Sequence, residues 1–507
     1  MTMAHSHRTL GSVLKEFAHL QPNAPFLAYE RGPGLVETTT WGQMAARALS
    51  SAELLSSHGV RAGDKVGVHL TNCPEFYDVW FGAALLGAAI VPTNPLLTAD
   101  ELRYVVDHAG CEVVVTQADL ADTTRAAGAR TIIDVEHAWH VSDTFADWDS
   151  VDLRRTDGGT LAAIMYTSGT TSRPKGVMVT HAAYLNAGDV VAGHLRLRRY
   201  DRNLIVLPLF HGNAQYYSTM SAFVSGASVA LTPRFSASRW SEQALATGAT
   251  VASLFAAPIR MLLAQSVSDA DHMHQMRVVI FAQNVSAAQV TEFQKRFGVD
   301  LLQLYGMTET VFPPLMNPLL GTRNSQAMGR PVAGARIRLV DDQGNDVPLG
   351  TPGQLLVGAN PGFDVMAGYL ANPEATASTL VDGWLHTGDV AATDSDGFVI
   401  FVDRAKDMIK RAGENVACSE VEAVINQHPA VFESAAVGVP DEMRDEALVA
   451  FVVLCQGAEA TPDEILDFCR ERLAKFKVPD SVKLVRELPR TPVGKIQKHR
   501  LKGSLPA

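Results

Sequence analysis

From Asp64 onward, short apolar runs alternate with amphipathic stretches, and this alternation constrains the fold more than any other feature. Val66-Gly67-Val68-His69-Leu70, Ala89–Val91 and Glu112–Thr116 read as strands, with helices expected over Phe76–Leu86 and Ala99–His108. The pattern resumes at Leu204–Leu207, Ser228–Leu231, Val251–Phe255, Val278–Phe281 and Leu301–Tyr305. Buried strands separated by helices build parallel sheets through right-handed crossovers. Two such blocks imply two doubly wound subdomains, with ligands expected at the carboxyl ends of the strands. Residues 1–60 read as a short polar start followed by helices at Leu10–Leu20 and Trp41–His58.

Between the blocks, Leu161–Tyr166 is a further buried strand. It runs into Thr167-Ser168-Gly169-Thr170-Thr171-Ser172-Arg173-Pro174-Lys175-Gly176, after which Val177-Met178-Val179 returns to strand chemistry. Hydroxyls and glycine amides can surround phosphate oxygens while the lysine adds positive charge. The loop is not a Walker A motif, because Lys175 is followed by glycine and a strand rather than by Ser or Thr opening a helix. A solvated hairpin tip is the plain alternative.

From about Pro331 the character changes. Ala335–Val340, Gln354–Val357 and Gly397–Val402 are short strands between Asp/Gly/Pro turns, which reads as a small β-barrel-like unit. After Asp403-Arg404-Ala405-Lys406 the remainder reads as a separate α+β lobe. Its helices are expected over Ser419–His428 and Pro462–Lys475, its strands over Ser434–Val439 and Leu448–Val453.

Composition excludes several classes of function. A net charge of −11 over 507 residues argues against a generic nucleic-acid or anionic-membrane surface, so any nucleotide must meet local positive charge. The five cysteines are scattered without a Cys-x-x-Cys, which suggests neither a disulfide framework nor a zinc ribbon. The apolar stretch Val79–Val91 falls short of the roughly 20 residues a bilayer requires, and Met1–Leu20 has no signal-peptide core. The expected compartment is the cytoplasm. No Gly-x-Ser-x-Gly elbow occurs, and the pairs His137/His140 and His272/His274 lack clustered partner ligands.

Four further stretches carry chemistry. Leu302-Gln303-Leu304-Tyr305-Gly306-Met307-Thr308-Glu309 ends a strand with an aromatic face, a hydroxyl and a carboxylate. Tyr305 could stack on a base, Thr308 bind an α-phosphate and Glu309 hold Mg²⁺; the plain alternative is a helix start. Gly383-Trp384-Leu385-His386-Thr387-Gly388-Asp389, Asp403–Gly413 and Leu488-Pro489-Arg490-Thr491-Pro492-Val493-Gly494-Lys495-Ile496 read, by themselves, as a turn, a basic linker and a basic tail.

Together with the 167–176 loop, these stretches resemble the AMP-forming adenylating superfamily, which includes acyl-CoA synthetases, amino-acid adenylation domains and firefly luciferase. The resemblance implies that Thr167, Ser168, Gly169, Thr170, Thr171 and Lys175 bind phosphate. It assigns Ala282, Gln283, Gln303, Tyr305, Gly306 and Thr308 to the nucleotide, Glu309 to Mg²⁺, and Asp389 and Arg404 to the ribose. Lys406 takes the hinge position, with Lys410 and Gly413 on the segment facing the site during thioester formation. Lys495 matches the lysine that bridges substrate carboxylate and α-phosphate during adenylation. The implied fold is α/β: a large N-terminal domain of two doubly wound subdomains plus a small β-barrel over residues 1–403, followed by a mobile α+β C-terminal domain over residues 404–507. The implied reaction consumes ATP with Mg²⁺ and coenzyme A, and a homodimer is a possible assembly.

Leu207-Pro208-Leu209-Phe210-His211-Gly212-Asn213-Ala214 sits where amino-acid adenylation domains place an aspartate for the substrate ammonium. This chain has no carboxylate there, and an unpartnered buried ammonium would cost several kcal/mol. The acid is thus expected to lack an α-amine. His211 resembles the gate between acyl pocket and thiol tunnel in acyl-CoA synthetases, with pocket walls expected from Tyr216, Tyr217, Met220, residues 281–284 and residues 311–314. The Phe-His segment resembles medium-chain and carnitine-type CoA ligases; the whole chain resembles, more faintly, ligases of bacterial antibiotic gene clusters such as that for platensimycin. Fatty, carnitine-like, aromatic and polycyclic acids all remain open. So do an acyl-AMP ligase loading a carrier protein, a luciferase-like oxygenase and a non-enzymatic nucleotide sensor.

Overall fold

The structure is a computed structural model, and it describes residues 8–143, 156–167, 173–404, 407–411, 414–441, 445–490 and 496–504, without the side chains of 410, 414, 415 and 445. The chain divides into two compact units. One is built from the first 168 residues together with Pro174–Arg336 and Val357–Leu385; the other is built chiefly from Ile337–Leu356 and His386–Ala507.

The first unit holds two mixed sheets. In the seven-stranded sheet, Leu161–Thr167, Ala89–Pro92, Lys65–His69, Val113–Thr116 and Thr131–Asp134 run parallel, with Val68 beside both Pro92 and Val115. Lys175–Thr180 and Gly368–Tyr369 extend it as antiparallel strands. The nine-stranded sheet has a parallel centre of Asp300–Tyr305, Val278–Ala282, Val251–Phe255, Arg202–Ile205, Ser228–Leu231 and Pro25–Gly32. Most residues of these central strands are buried, as strands covered on both faces require.

The edge of the larger sheet was not expected. Pro25–Gly32 and Leu35–Thr40 form a hairpin around Pro33-Gly34, Gly34 taking a φ of +71°. It docks through Tyr29 beside Leu231. Behind it, helices Leu10–Leu20, Trp41–Ser57 and Pro74–Leu86 bury an aromatic cluster in which the Trp41 and Phe26 rings lie 4.7 Å apart and Phe81 stacks on Phe223 at 5.0 Å. Offset and tilted rings of this kind add to the burial of their large apolar surfaces.

The segment expected as a small barrel is a five-stranded antiparallel-type sheet in which Trp384–Thr393 is the long central strand and Val399–Arg404 pairs with it. The C-terminal lobe carries a second five-stranded sheet. Its long hairpin Val431–Asp441/Asp445–Leu454 is backed by helices Cys418–Ile425 and Pro462–Arg470, the latter ending before the expected Lys475. Among the described residues, no helix is long and apolar enough to cross a membrane.

Candidate active site

In the first unit the nucleotide-type motifs sit at strand ends. Thr167 closes its strand opposite Lys175; Ser168, Gly169, Thr170 and Thr171 lie outside the described residues. The Lys175 ammonium stands 4.8 Å from the centre of the Tyr369 ring. The Tyr369 hydroxyl donates to Glu309 Oε1 at 2.9 Å, and Glu309 is buried, 8% exposed. Burial, followed by the charge of Glu309, pushes the Tyr369 hydroxyl well above the usual tyrosine range, so it remains a donor. A cation, a ring and a carboxylate thus form one continuous line. Tyr369 escaped the sequence reading, because it is placed by the pairing of Gly368-Tyr369 with Val177 and Met178, far away in the chain.

Strands Val278–Ala282 and Asp300–Tyr305 are parallel neighbours, with Phe281 beside Gln303. Ala282, Gln303 and Tyr305 lie at the carboxyl ends of these two neighbouring strands, and Gln283, Gly306, Thr308 and Glu309 follow directly after them. Gln303 is 4% exposed and donates through Nε2 to the Gln283 carbonyl at 3.3 Å and to Asn284 Oδ1 at 3.2 Å. Two side chains here adopt left-handed backbone: Gln283 at φ +76° and the buried, β-branched Val311 at φ +58°. Such strain concentrates where a site demands a fixed geometry. Gly306 is sterically dictated, since a Cβ there would lie 2.1 Å from the Tyr217 hydroxyl oxygen.

His211 follows the strand Arg202–Ile205 in a turn closed by its own N–H to the Pro208 carbonyl at 3.0 Å. Its Nδ1 accepts from the Asn213 amide at 3.2 Å, which leaves the proton on Nε2. The ring meets Phe255 edge to face at 5.4 Å. The helix expected after His211 opens as a π-helical stretch, Asn213–Thr219, a form enriched at functional sites. It buries Tyr216 and Tyr217, and Met220 follows, buried as well.

In the second unit, Asp389 and Arg404 face each other across antiparallel strands, with Arg404 Nε 3.2 Å from Asp389 Oδ1. Asp389 is 3% exposed, and its N–H donates to Thr387 Oγ1 at 3.1 Å. Lys406, Gly413 and Lys495 lie outside the described residues; Lys410 lies in strand Ile409–Arg411 opposite Asn415, its side chain likewise undescribed. The flanks are well defined. Asp403 accepts from the Arg404 N–H at 2.7 Å and from the Ser419 N–H at 3.2 Å, while the Ser419 hydroxyl donates to the Val402 carbonyl. Around Lys495, Arg490 bridges to Ile496 in the backbone and pairs with Glu433, and Lys498 Nζ lies 2.7 Å from Glu422 Oε1. Lys498 and Glu422 were also missed, because a lysine and a glutamate 76 positions apart carry no local signal.

The pattern of AMP-binding enzymes matches residues 14–370, and that of their C-terminal domain matches residues 420–495. The chain belongs to the AMP-binding enzyme family. This family member is 35% identical to a crotonobetaine/carnitine–CoA ligase of Citrobacter koseri, over 98% of its own chain and 99% of the relative. Its structure superposes on the anthranilate CoA ligase AuaEII in complex with anthranoyl-AMP with a TM-score of 0.88 at 26% identity, covering 98% and 97% of the two chains. For the Bacillus subtilis o-succinylbenzoate–CoA synthetase MenE with ATP and magnesium ion the TM-score is 0.85 at 27% identity, covering 97% and 99%.

The AMP-binding enzyme described here is an AMP-forming acid–CoA ligase. With ATP it converts a carboxylic acid to acyl-AMP and pyrophosphate, and CoA then takes the acyl group as a thioester with release of AMP. Mg²⁺ is its metal. Among the described residues no group of three or more His, Cys, Asp or Glu could hold a metal. A single buried carboxylate together with substrate phosphates is, however, how Mg²⁺ is commonly bound, and Glu309 fits that mode.

Proposed function

We propose that the ligase activates an acid lacking an α-amine, with residue roles as follows. The 167–175 loop holds the β- and γ-phosphates, Lys175 adding charge. Tyr305 and Gly306 carry the adenine, Ala282, Gln283 and Gln303 its edge, and Asp389 and Arg404 the ribose. Thr308 binds the α-phosphate. Glu309 would hold Mg²⁺, which when bound neutralises phosphate charge. Lys495 bridges the attacking carboxylate and the α-phosphate, so the carboxylate oxygen forms its bond to phosphorus as pyrophosphate leaves. Charge-matched, prepositioned groups of this kind lower a barrier by several kcal/mol.

The lobe 404–507 then turns about Lys406, withdrawing Lys495 and presenting Lys410 and Gly413. The CoA thiol attacks the acyl carbon and AMP leaves, with His211 gating the thiol's approach. The observation that carries the nucleotide part of this reading is the line Lys175–Tyr369–Glu309, which joins the phosphate-type loop to the metal-type carboxylate inside one unit.

In this reading the acid pocket takes its walls from Tyr216, Tyr217, Met220, residues 281–284 and residues 311–314, with His211, whose ring packs on Phe255, at its gate, and the relatives' acids, from carnitine-like to aromatic, define the panel to screen. CoA-dependent AMP release tests that panel, and offering CoA beside a phosphopantetheinyl carrier protein tests the acceptor. Lys495→Ala should abolish acid-dependent pyrophosphate exchange while sparing thioester formation from supplied acyl-AMP; unchanged exchange removes Lys495 from its role. The reading extends to a cytoplasmic enzyme without nucleic-acid or membrane partners, and light scattering tests whether two copies pair.

A further inference from the structure

The phosphate-type loop is gripped at both ends by one helix. Ala99–Ala109 begins with a reciprocal cap between Thr98 and Glu101 and ends at Gly110 with φ +71°, so both its limits are fixed. Leu102, Val105, Val106 and Ala109 bury one stripe against the sheet. Tyr104 and His108, one turn apart, present a second stripe and stack on each other at 5.4 Å and 26°. The Tyr104 hydroxyl donates to the Pro174 carbonyl at 2.9 Å, and His108 Nδ1 meets the Tyr166 hydroxyl at 2.6 Å. Tyr166 is the residue before Thr167, and Pro174 the residue before Lys175. The hairpin itself supports the same geometry, since a Cβ on Gly176 would stand 3.3 Å from the Tyr166 ring.

We propose that Tyr104 and His108 are positioning residues for ATP, setting the phosphate-binding loop by holding its two ends, Tyr166 and Pro174, against one face of a capped helix. This rests on the reading that the loop binds the β- and γ-phosphates. In this role each acts through the backbone or ring it holds rather than by contact with the nucleotide. Loss of either contact is expected to act on ATP use and not on acid or CoA use.

The test measures both half-reactions. Tyr104→Phe, which keeps the ring and its stacking, and His108→Ala should each raise the KM for ATP by roughly 3- to 10-fold, the scale of one net hydrogen bond. The kcat should stay within about twofold, the KM for the acid should not change, and thioester formation from supplied acyl-AMP should be unaffected, because acyl-AMP has no β- or γ-phosphate. His108→Ala combined with Tyr166→Phe should be no worse than His108→Ala, since both remove one contact. ATP KM values that stay put, or a fall in melting temperature with every constant worsening together, overturn the clamp. Lys175→Ala separates the two claims. If it raises the ATP KM while Tyr104→Phe and His108→Ala do not, the clamp fails alone; if it too leaves the ATP KM unchanged, the phosphate-loop reading fails.

Discussion

The Tyr369 hydroxyl satisfies one oxygen of the buried Glu309 at 2.9 Å, while its ring face receives the Lys175 ammonium. One tyrosine therefore serves two charges of opposite sign through two different parts of its structure. Removing the hydroxyl alone separates those roles. Tyr369→Phe keeps the ring for Lys175 but strips a buried carboxylate of its donor, a loss of about 1–3 kcal/mol. We expect a lower melting temperature and a higher Mg²⁺ requirement in pyrophosphate exchange, read from a metal titration. An unchanged requirement would separate Tyr369 from the metal-type carboxylate.

Gly306 offers a test of steric necessity. A methyl group there would sit against the Tyr217 hydroxyl oxygen at 2.1 Å, and next nearest is the ring carbon bearing it, at 3.3 Å. Tyr217 is buried in a closely packed interior, so yielding to that methyl group disturbs its neighbours. Gly306→Ala should destabilise the protein and depress adenylation by at least tenfold. Gly306→Ala with Tyr217→Phe should recover much of both, measured by thermal unfolding and pyrophosphate exchange.

Two buried histidines set an acid limit. Burial lowers His69 and His181 from 6.5 to about 4, and both are fully enclosed. His181 accepts the Leu10 N–H at 3.3 Å through Nδ1, and His69 Nδ1 meets Thr93 Oγ1 at 2.8 Å, both in keeping with neutral rings. The unfolded chain binds these protons near pH 6.5, the folded one only near pH 4. Their contribution is complete above about pH 6.5 and is lost as pH falls toward 4, on the order of 3 kcal/mol each. Melting temperature should therefore drop steeply between pH 6.5 and 4.5, and His181→Gln should flatten the slope. A flat profile in the parent protein would refute this.

The pair Lys498–Glu422 lies three residues beyond Lys495. Burial alone would lower the Lys498 ammonium, but Glu422, then Cys418 and Asp403, outweigh it and hold its proton affinity above normal. Glu422→Gln leaves that cation without its close partner and should cost on the order of 3 kcal/mol. Adding Lys498→Met should restore part of the loss. Because the pair anchors the flank of Lys495, pyrophosphate exchange should fall further than the thioester step.

What the sequence revealed tracks how local each determinant is. Ser228–Leu231 and Val251–Phe255 are strands over the expected residues because each is a short, largely apolar, fully buried run of the kind a doubly covered sheet takes. The Pro25–Gly32 hairpin went unread because its place depends on Tyr29 meeting Leu231, some 200 positions away. The π-helical turn after His211 leaves no periodic trace, and the helix from Pro462 stops at Arg470 although its polar pattern runs on. For the site, the stretches around Glu309 and Asp389 stand out in the sequence, but the contacts that support those side chains do not. Tyr369, Tyr104 and His108 act through contacts that only the folded chain creates.

Ser419 gives a last consequence. Its N–H and hydroxyl reach back to Asp403 and Val402, on the other side of residues 405 and 406. In the proposed swing of the lobe at that joint, two contacts held by one serine would have to part first, which would make the passage between half-reactions a step between discrete arrangements rather than a free drift.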